Sequence, residues 1–97
     1  MRDEHDVSER ASASVTIVNR LGLHARPAMC FVDAAMAHAC AITVKRGDQA
    51  VDGKSIMMMM LLAATQGTEL EIIAEGPGAQ AAIDDLSKLV ASGFGED

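Results

Sequence analysis

His24, Ala25, Arg26 and Pro27 form the stretch of this chain best suited to chemistry. Proline fits a helix only in its first turn, where its missing N–H costs nothing. A helix N-terminus therefore falls around His24 to Pro27. Unpaired backbone N–H groups at such an end, near Ala25 and Arg26, attract an anion, and the helix dipole adds to the attraction. A neutral imidazole beside them is a nucleophile aimed where phosphate is welcome. Arg26 brings planar, charge-assisted donors for phosphate oxygens, and Arg26 and the dipole both disfavour a charged ring. The plainer reading of the same residues is a histidine that only caps or packs.

Ser55 is the second candidate. Its hydroxyl can accept from the orphan N–H groups of a following helix. The same position tolerates a phosphate electrostatically. Gly53-Lys54-Ser55 also invites a nucleotide-loop reading, but Asp48 stands where that motif needs its first glycine. Met57 to Met60 are four consecutive methionines, which on a helix point to all sides. About half of them should be buried and half exposed. Cys30, Cys40 and His38 match no standard zinc spacing. Neither a metal nor any other cofactor is expected, and His5 lies in a charged tail.

The elements that position these residues follow from hydrophobic period. Ser14 to Asn19 is β-branched and partly alternating, a strand. Gly22 permits the turn after it. Pro27 to Ala39 carries Ala28, Phe31, Val32, Ala35, Met36 and Ala39 on one helical face. Ala41 to Lys45 and Gln49 to Asp52 read as a hairpin around Gly47-Asp48. Ser55 opens a short helix to about Ala64, ended by Gln66-Gly67. Thr68 to Ala74 is a strand with Leu70, Ile72 and Ala74 on one face and glutamates on the other. Ala79 to Ser92 is a helix with a stripe of Ala82, Ile83, Leu86, Leu89 and Val90, and Gly93 stops it. The order β-α-β-β-α-β-α predicts an α+β fold with helices on one face of a sheet. Residues 1–12 read as a flexible tail and 13–97 as a single domain.

Composition sets bounds on function. The 97 residues carry a net charge of −6 and only two aromatics, both phenylalanine, which argues against nucleic acid as a partner. No apolar run is long enough for a membrane span, and the charged first residues do not resemble a secretory signal. A monomeric cytoplasmic protein is expected. The charge is unevenly distributed: from Arg20 to Lys54 five bases face three acids, while the rest of the chain holds three bases and eleven acids. That basic middle is either a chance clustering or a surface for an anionic ligand or acidic partner.

Leu21-Gly22-Leu23-His24-Ala25-Arg26-Pro27-Ala28 closely resembles the phosphorylation-site motif of HPr, the histidine phosphocarrier of the bacterial phosphotransferase system. Gly53-Lys54-Ser55-Ile56-Met57 resembles the family's regulatory-serine segment. Thr65-Gln66-Gly67-Thr68, leading into the last strand, is similar to the family's final turn and strand. The resemblance spans about residues 14 to 95. It implies an open-faced β-sandwich, a four-stranded antiparallel sheet covered on one face by three helices.

It also implies a carrier rather than an enzyme. His24 would take a phosphoryl group on Nδ1 from enzyme I, charged by phosphoenolpyruvate, and pass it to an enzyme IIA-type acceptor. Arg26 would stabilise the phosphate, with the N–H groups of Ala25 and Arg26. Ser55 would be modified by HPr kinase/phosphorylase in bacteria that have it. Arg20, Lys54, Ile56 and Met57 would meet the protein partners. Met58 departs from the family's usual glycine or polar residue.

Two rival readings remain from sequence. One is a mainly regulatory binding protein, either a nitrogen-related carrier (NPr) or a serine-phosphorylated form, controlling partners rather than sugar uptake. The other is a small α/β domain binding a ligand or RNA, which the scarcity of basic and aromatic residues disfavours.

Overall fold

The computed structural model describes residues 9–96. The tail reading for residues 1–8, with His5, lies outside the described residues. Four strands and three helices follow in the expected order: β1 (Arg10–Thr16), α1 (Ala25–Met36), β2 (Ala41–Arg46), β3 (Gln49–Asp52), α2 (Ile56–Leu61), β4 (Glu69–Glu75) and α3 (Ala79–Ala91). A 3₁₀ turn, Gly93–Gly95, comes after α3. The sheet is antiparallel throughout, in the order β1-β4-β2-β3.

Alternation decides which face is covered. Leu70, Ile72 and Ala74 of β4 are buried, as are Ile42 and Val44 of β2 and Val51 of β3. Register aligns them in rows, with Val15 opposite Leu70 and Val44 opposite both Ile72 and Val51. The helices press their apolar stripes onto that face. Phe31, Val32 and Ala35 come from α1, and Ile83, Leu86 and Val90 from α3. The opposite face carries Ser14, Glu71 and Lys45, a row of small and charged residues. No helix among the described residues is long and apolar enough to cross a membrane.

Several boundaries differ from those expected of the sequence. β1 begins at Arg10 rather than Ser14, so residues 10–12 belong to the sheet and not to the tail. Their own pattern is weak, but β4 supplies the partner: Arg10 pairs with Glu75, Ala11 with Ala74 and Ser12 with Ile73. α1 starts at Ala25, with Pro27 still in the first turn, and ends at Met36 rather than Ala39. Ala39 therefore lies beyond the helical stripe, and Met36 and Ala39 are exposed.

α2 is only six residues long. Ala63, at a positive φ of 50°, turns the chain out of it before Gln66-Gly67 is reached. Only Met59 of the four methionines is buried, not half of them. So short a helix touches the core along one narrow line, which takes Met59 and then Leu62 three residues on.

Candidate functional site

The loop between β1 and α1 is held from two sides. Ile17 stays tied to the turn before β4, donating to the Thr68 carbonyl at 2.9 Å and accepting from Gly67 N–H at 2.7 Å. Gly22 N–H donates to the Asn19 carbonyl at 3.1 Å, and Leu23 N–H donates to the Ala64 carbonyl at 2.8 Å. Gly22 has φ +72°, and a Cβ there would meet the Ala64 oxygen at 2.6 Å and Thr65 Cα at 2.9 Å. Glycine is thus required twice over, by conformation and by space. The buried Leu23 side chain completes the anchor.

His24 then stands as the N-cap of α1, in extended backbone geometry, with its carbonyl accepting from Ala28 N–H at 3.0 Å. Its ring makes no capping bond to the helix, and its side chain is 39% exposed. Pro27 has no N–H to satisfy. Among the described residues no partner takes the N–H groups of Ala25 and Arg26, two donors that point toward any anion bound at this helix end. The Arg26 side chain is exposed beside them.

Two residues that sequence reading did not single out complete the site. Glu96 Oε1 lies 3.1 Å from His24 Nε2. Asn19 Nδ2 donates to the same oxygen at 3.1 Å and to the Gly22 carbonyl at 2.7 Å. Asn19 is 1% exposed, the only buried polar or charged residue among the described residues. Turning its amide over would set oxygen against a carboxylate and a carbonyl, so the nitrogen belongs on that side. The Glu96 carboxyl is held below the ordinary glutamate range. The His24 hydrogen bond is the main cause, partial burial opposes it, and Asn19 and the charges of His24 and Arg26 add to the lowering.

Glu96 arrives there through an unusual turn. Gly93, Phe94 and Gly95 all have positive φ, at 69°, 59° and 75°, and Glu96 N–H closes on the Gly93 carbonyl at 2.9 Å. A phenylalanine in that region is strained, and burial of its ring among the core side chains holds it. Two glycines flanking an apolar residue after a helix were the available signal. By local pattern alone Gly93 reads as a helix stop.

The second group of predicted residues lies around α2. Ser55 is its N-cap, as expected, and its Oγ accepts from Met58 N–H at 3.2 Å. Lys54 Nζ donates to the His38 carbonyl at 2.7 Å, just past the C-terminal end of α1. The His38 ring in turn meets Asp85 of α3 at 2.9 Å. Ile56 and Met57 are exposed, with Met57 at 76%. Arg20 is exposed in the loop before His24. Cys30 is half-buried and Cys40 buried, and neither is in a disulfide.

Comparison with known proteins bears on what this arrangement does. The family model described as "PTS HPr component phosphorylation site" matches residues 11–92. The chain is 45% identical over 83 residues to a phosphocarrier protein HPr of Pseudomonas aeruginosa, covering 84% of this chain and 92% of that one. Among solved structures it resembles an HPr of Thermoanaerobacter tengcongensis, with a TM-score of 0.86, 39% identity, and coverage of 90% and 98% of the two chains. An HPr dimer from the same organism matches with a TM-score of 0.72 and 41% identity, covering 84% and 94%.

Proposed function

Since the chain belongs to the HPr family of the phosphotransferase system, whose members carry a phosphoryl group and are not catalysts, we propose that His24 is the residue that carries it. The observation that supports this most is the end of α1. There a partly exposed imidazole with no capping bond adjoins the N–H groups of Ala25 and Arg26, which have no partner among the described residues. The Arg26 guanidinium is exposed on the same turn and suits the phosphate oxygens.

Phosphorylated enzyme I is the donor in this reading, and an enzyme IIA-type protein the acceptor. The site needs little more than position. A transient phosphohistidine must leave readily, so a few fixed donors on an exposed helix end suit it better than an enclosing pocket. The exposed Ile56 and Met57, with Arg20 and Lys54, form the docking surface. Flexible thioethers suit several partners. The protein acts as a cytoplasmic monomer.

Ser55 is the regulatory site, modified by an HPr kinase/phosphorylase. As N-cap of α2 it stands beside the docking methionines, where a phosphate's charge of about −1.5 to −2 repels an acidic partner.

Incubation with phosphoenolpyruvate, Mg²⁺ and enzyme I should give an acid-labile phosphate on the wild-type protein and none on His24→Ala. Labelling that survives the substitution overturns the assignment. A partner effect unchanged in His24→Ala but lost in Ser55→Ala would assign the chain a mainly regulatory role. Light scattering during the same preparation reads the oligomeric state, with a dimer mass overturning the monomer.

A further inference from the structure

We propose that Glu96 and Asn19 are positioning residues for phosphoryl transfer, with Glu96 setting which ring nitrogen of His24 carries the proton. This rests on the reading of His24 as phosphoacceptor and adds to it the reason one nitrogen is the nucleophile.

An ionised carboxylate has no proton to give and only accepts. With Glu96 Oε1 at 3.1 Å, His24 Nε2 must therefore be the N–H, and the lone pair resides on Nδ1. Asn19 keeps the carboxylate in place. Its single NH₂ group bridges Glu96 and the Gly22 carbonyl, linking the turn after α3 to the loop that carries His24. The buried Phe94 ring anchors that turn, so the carboxylate is delivered by the tertiary fold.

The transfer balances without any further group. The Nδ1 lone pair attacks phosphorus on the donor's phosphohistidine. The new N–P bond forms as the donor's N–P bond breaks, and that electron pair returns to the donor imidazole. The Nε2 proton stays on His24 throughout. As Nδ1 gives up its pair, positive charge spreads over the ring to Nε2–H, directly opposite the carboxylate. Glu96 thus acts as the orienting carboxylate does in a catalytic triad, holding the tautomer and facing the charge that develops. In onward transfer the same steps run in reverse, and Nδ1 recovers its pair.

The test combines ring ¹⁵N spectra of the unphosphorylated protein with the kinetics of phosphorylation by enzyme I. At a pH where the ring is neutral, wild type should show a protonated Nε2 and an unprotonated Nδ1. Glu96→Ala should move both nitrogens toward the averaged shifts of a free imidazole. Glu96→Gln keeps an acceptor oxygen and should retain the tautomer while losing the charge. The kcat for phosphorylation should fall about two- to fivefold in Glu96→Ala, the range of a partly exposed charge pair, with KM for the carrier unchanged and Glu96→Gln between. The double variant Asn19→Ala/Glu96→Ala should lose no more kcat than Glu96→Ala alone.

Ring shifts and kcat both unchanged in Glu96→Ala overturn the proposal, as does a change confined to KM. Additive losses in the double variant remove Asn19 from it. Absence of label on wild-type His24 overturns the phosphoacceptor reading instead, and the transfer role of Glu96 with it.

Discussion

Gly22 passes so close to the Ala64 carbonyl that a β-carbon at position 22 would sit 2.6 Å from its oxygen. The contact couples the loop carrying His24 to the chain leaving α2, and the Leu23 to Ala64 hydrogen bond fastens the same two segments. Gly22→Ala adds both the clash and left-handed strain at φ +72°. It should cost about 2–3 kcal/mol in urea unfolding and slow phosphorylation of His24, because the ring's support shifts. Unfolding within 0.5 kcal/mol of wild type would refute this.

Neighbouring methionines separate stability from the proposed docking. Met59 is fully buried and Met57 is 76% exposed. Met59→Ala should destabilise by about 2–5 kcal/mol through the cavity it leaves. Met57→Ala should stay within about 0.5 kcal/mol of wild type in denaturant unfolding while raising the Kd for enzyme I, measured by calorimetry.

Ser55 has a structural role apart from any regulation. Ser55→Ala removes the acceptor for Met58 N–H and should lower stability by about 1 kcal/mol, leaving label on His24 unaffected. Ser55→Asp keeps a capping oxygen and should be nearly as stable as wild type. Its added charge should weaken enzyme I binding, and more so at low ionic strength.

Lys54 secures the end of α1 through its bond to the His38 carbonyl, a cation where the helix dipole favours one. Lys54→Met keeps the apolar stem and loses the charge-assisted bond. Thermal or urea unfolding should register a loss of about 1–2 kcal/mol. No change would show that Lys54 serves only the surface.

Glu96 makes the acid limb of stability informative. Its carboxyl is lowered in the folded protein, so its contribution is complete above the ordinary glutamate value of about 4.3 and fades as pH falls below it. Glu96→Gln should flatten the stability profile in that acid window. Parallel profiles across the acid range would show that the pairing with His24 contributes nothing.

The element order and the sheet's covered face were legible because local patterns carry them. Leu70, Ile72 and Ala74 alternate cleanly, and the Ile83, Leu86 and Val90 stripe repeats at helical spacing, so each declares its inner side without help. Pro27 marks the start of α1 by its own chemistry. The start of β1 at Arg10 was not legible, because Ala11 and Ser12 acquire strand geometry from β4. The exposure of Met36 escaped for a similar reason, since a helical stripe does not show where the helix ends.

His24, Arg26 and Ser55 stand out along the chain because each lies at a helix start, and a helix start is a local event. Glu96 is different. It lies 72 residues from His24, and no period or motif joins the two. Their meeting depends on Phe94 finding the core, on two flanking glycines accepting positive φ, and on Asn19 bridging the turn to the loop. Short-range propensity settles which segments become helices and strands. Contact between residues far apart in sequence is settled by packing, and here packing decides which carboxylate faces the His24 ring.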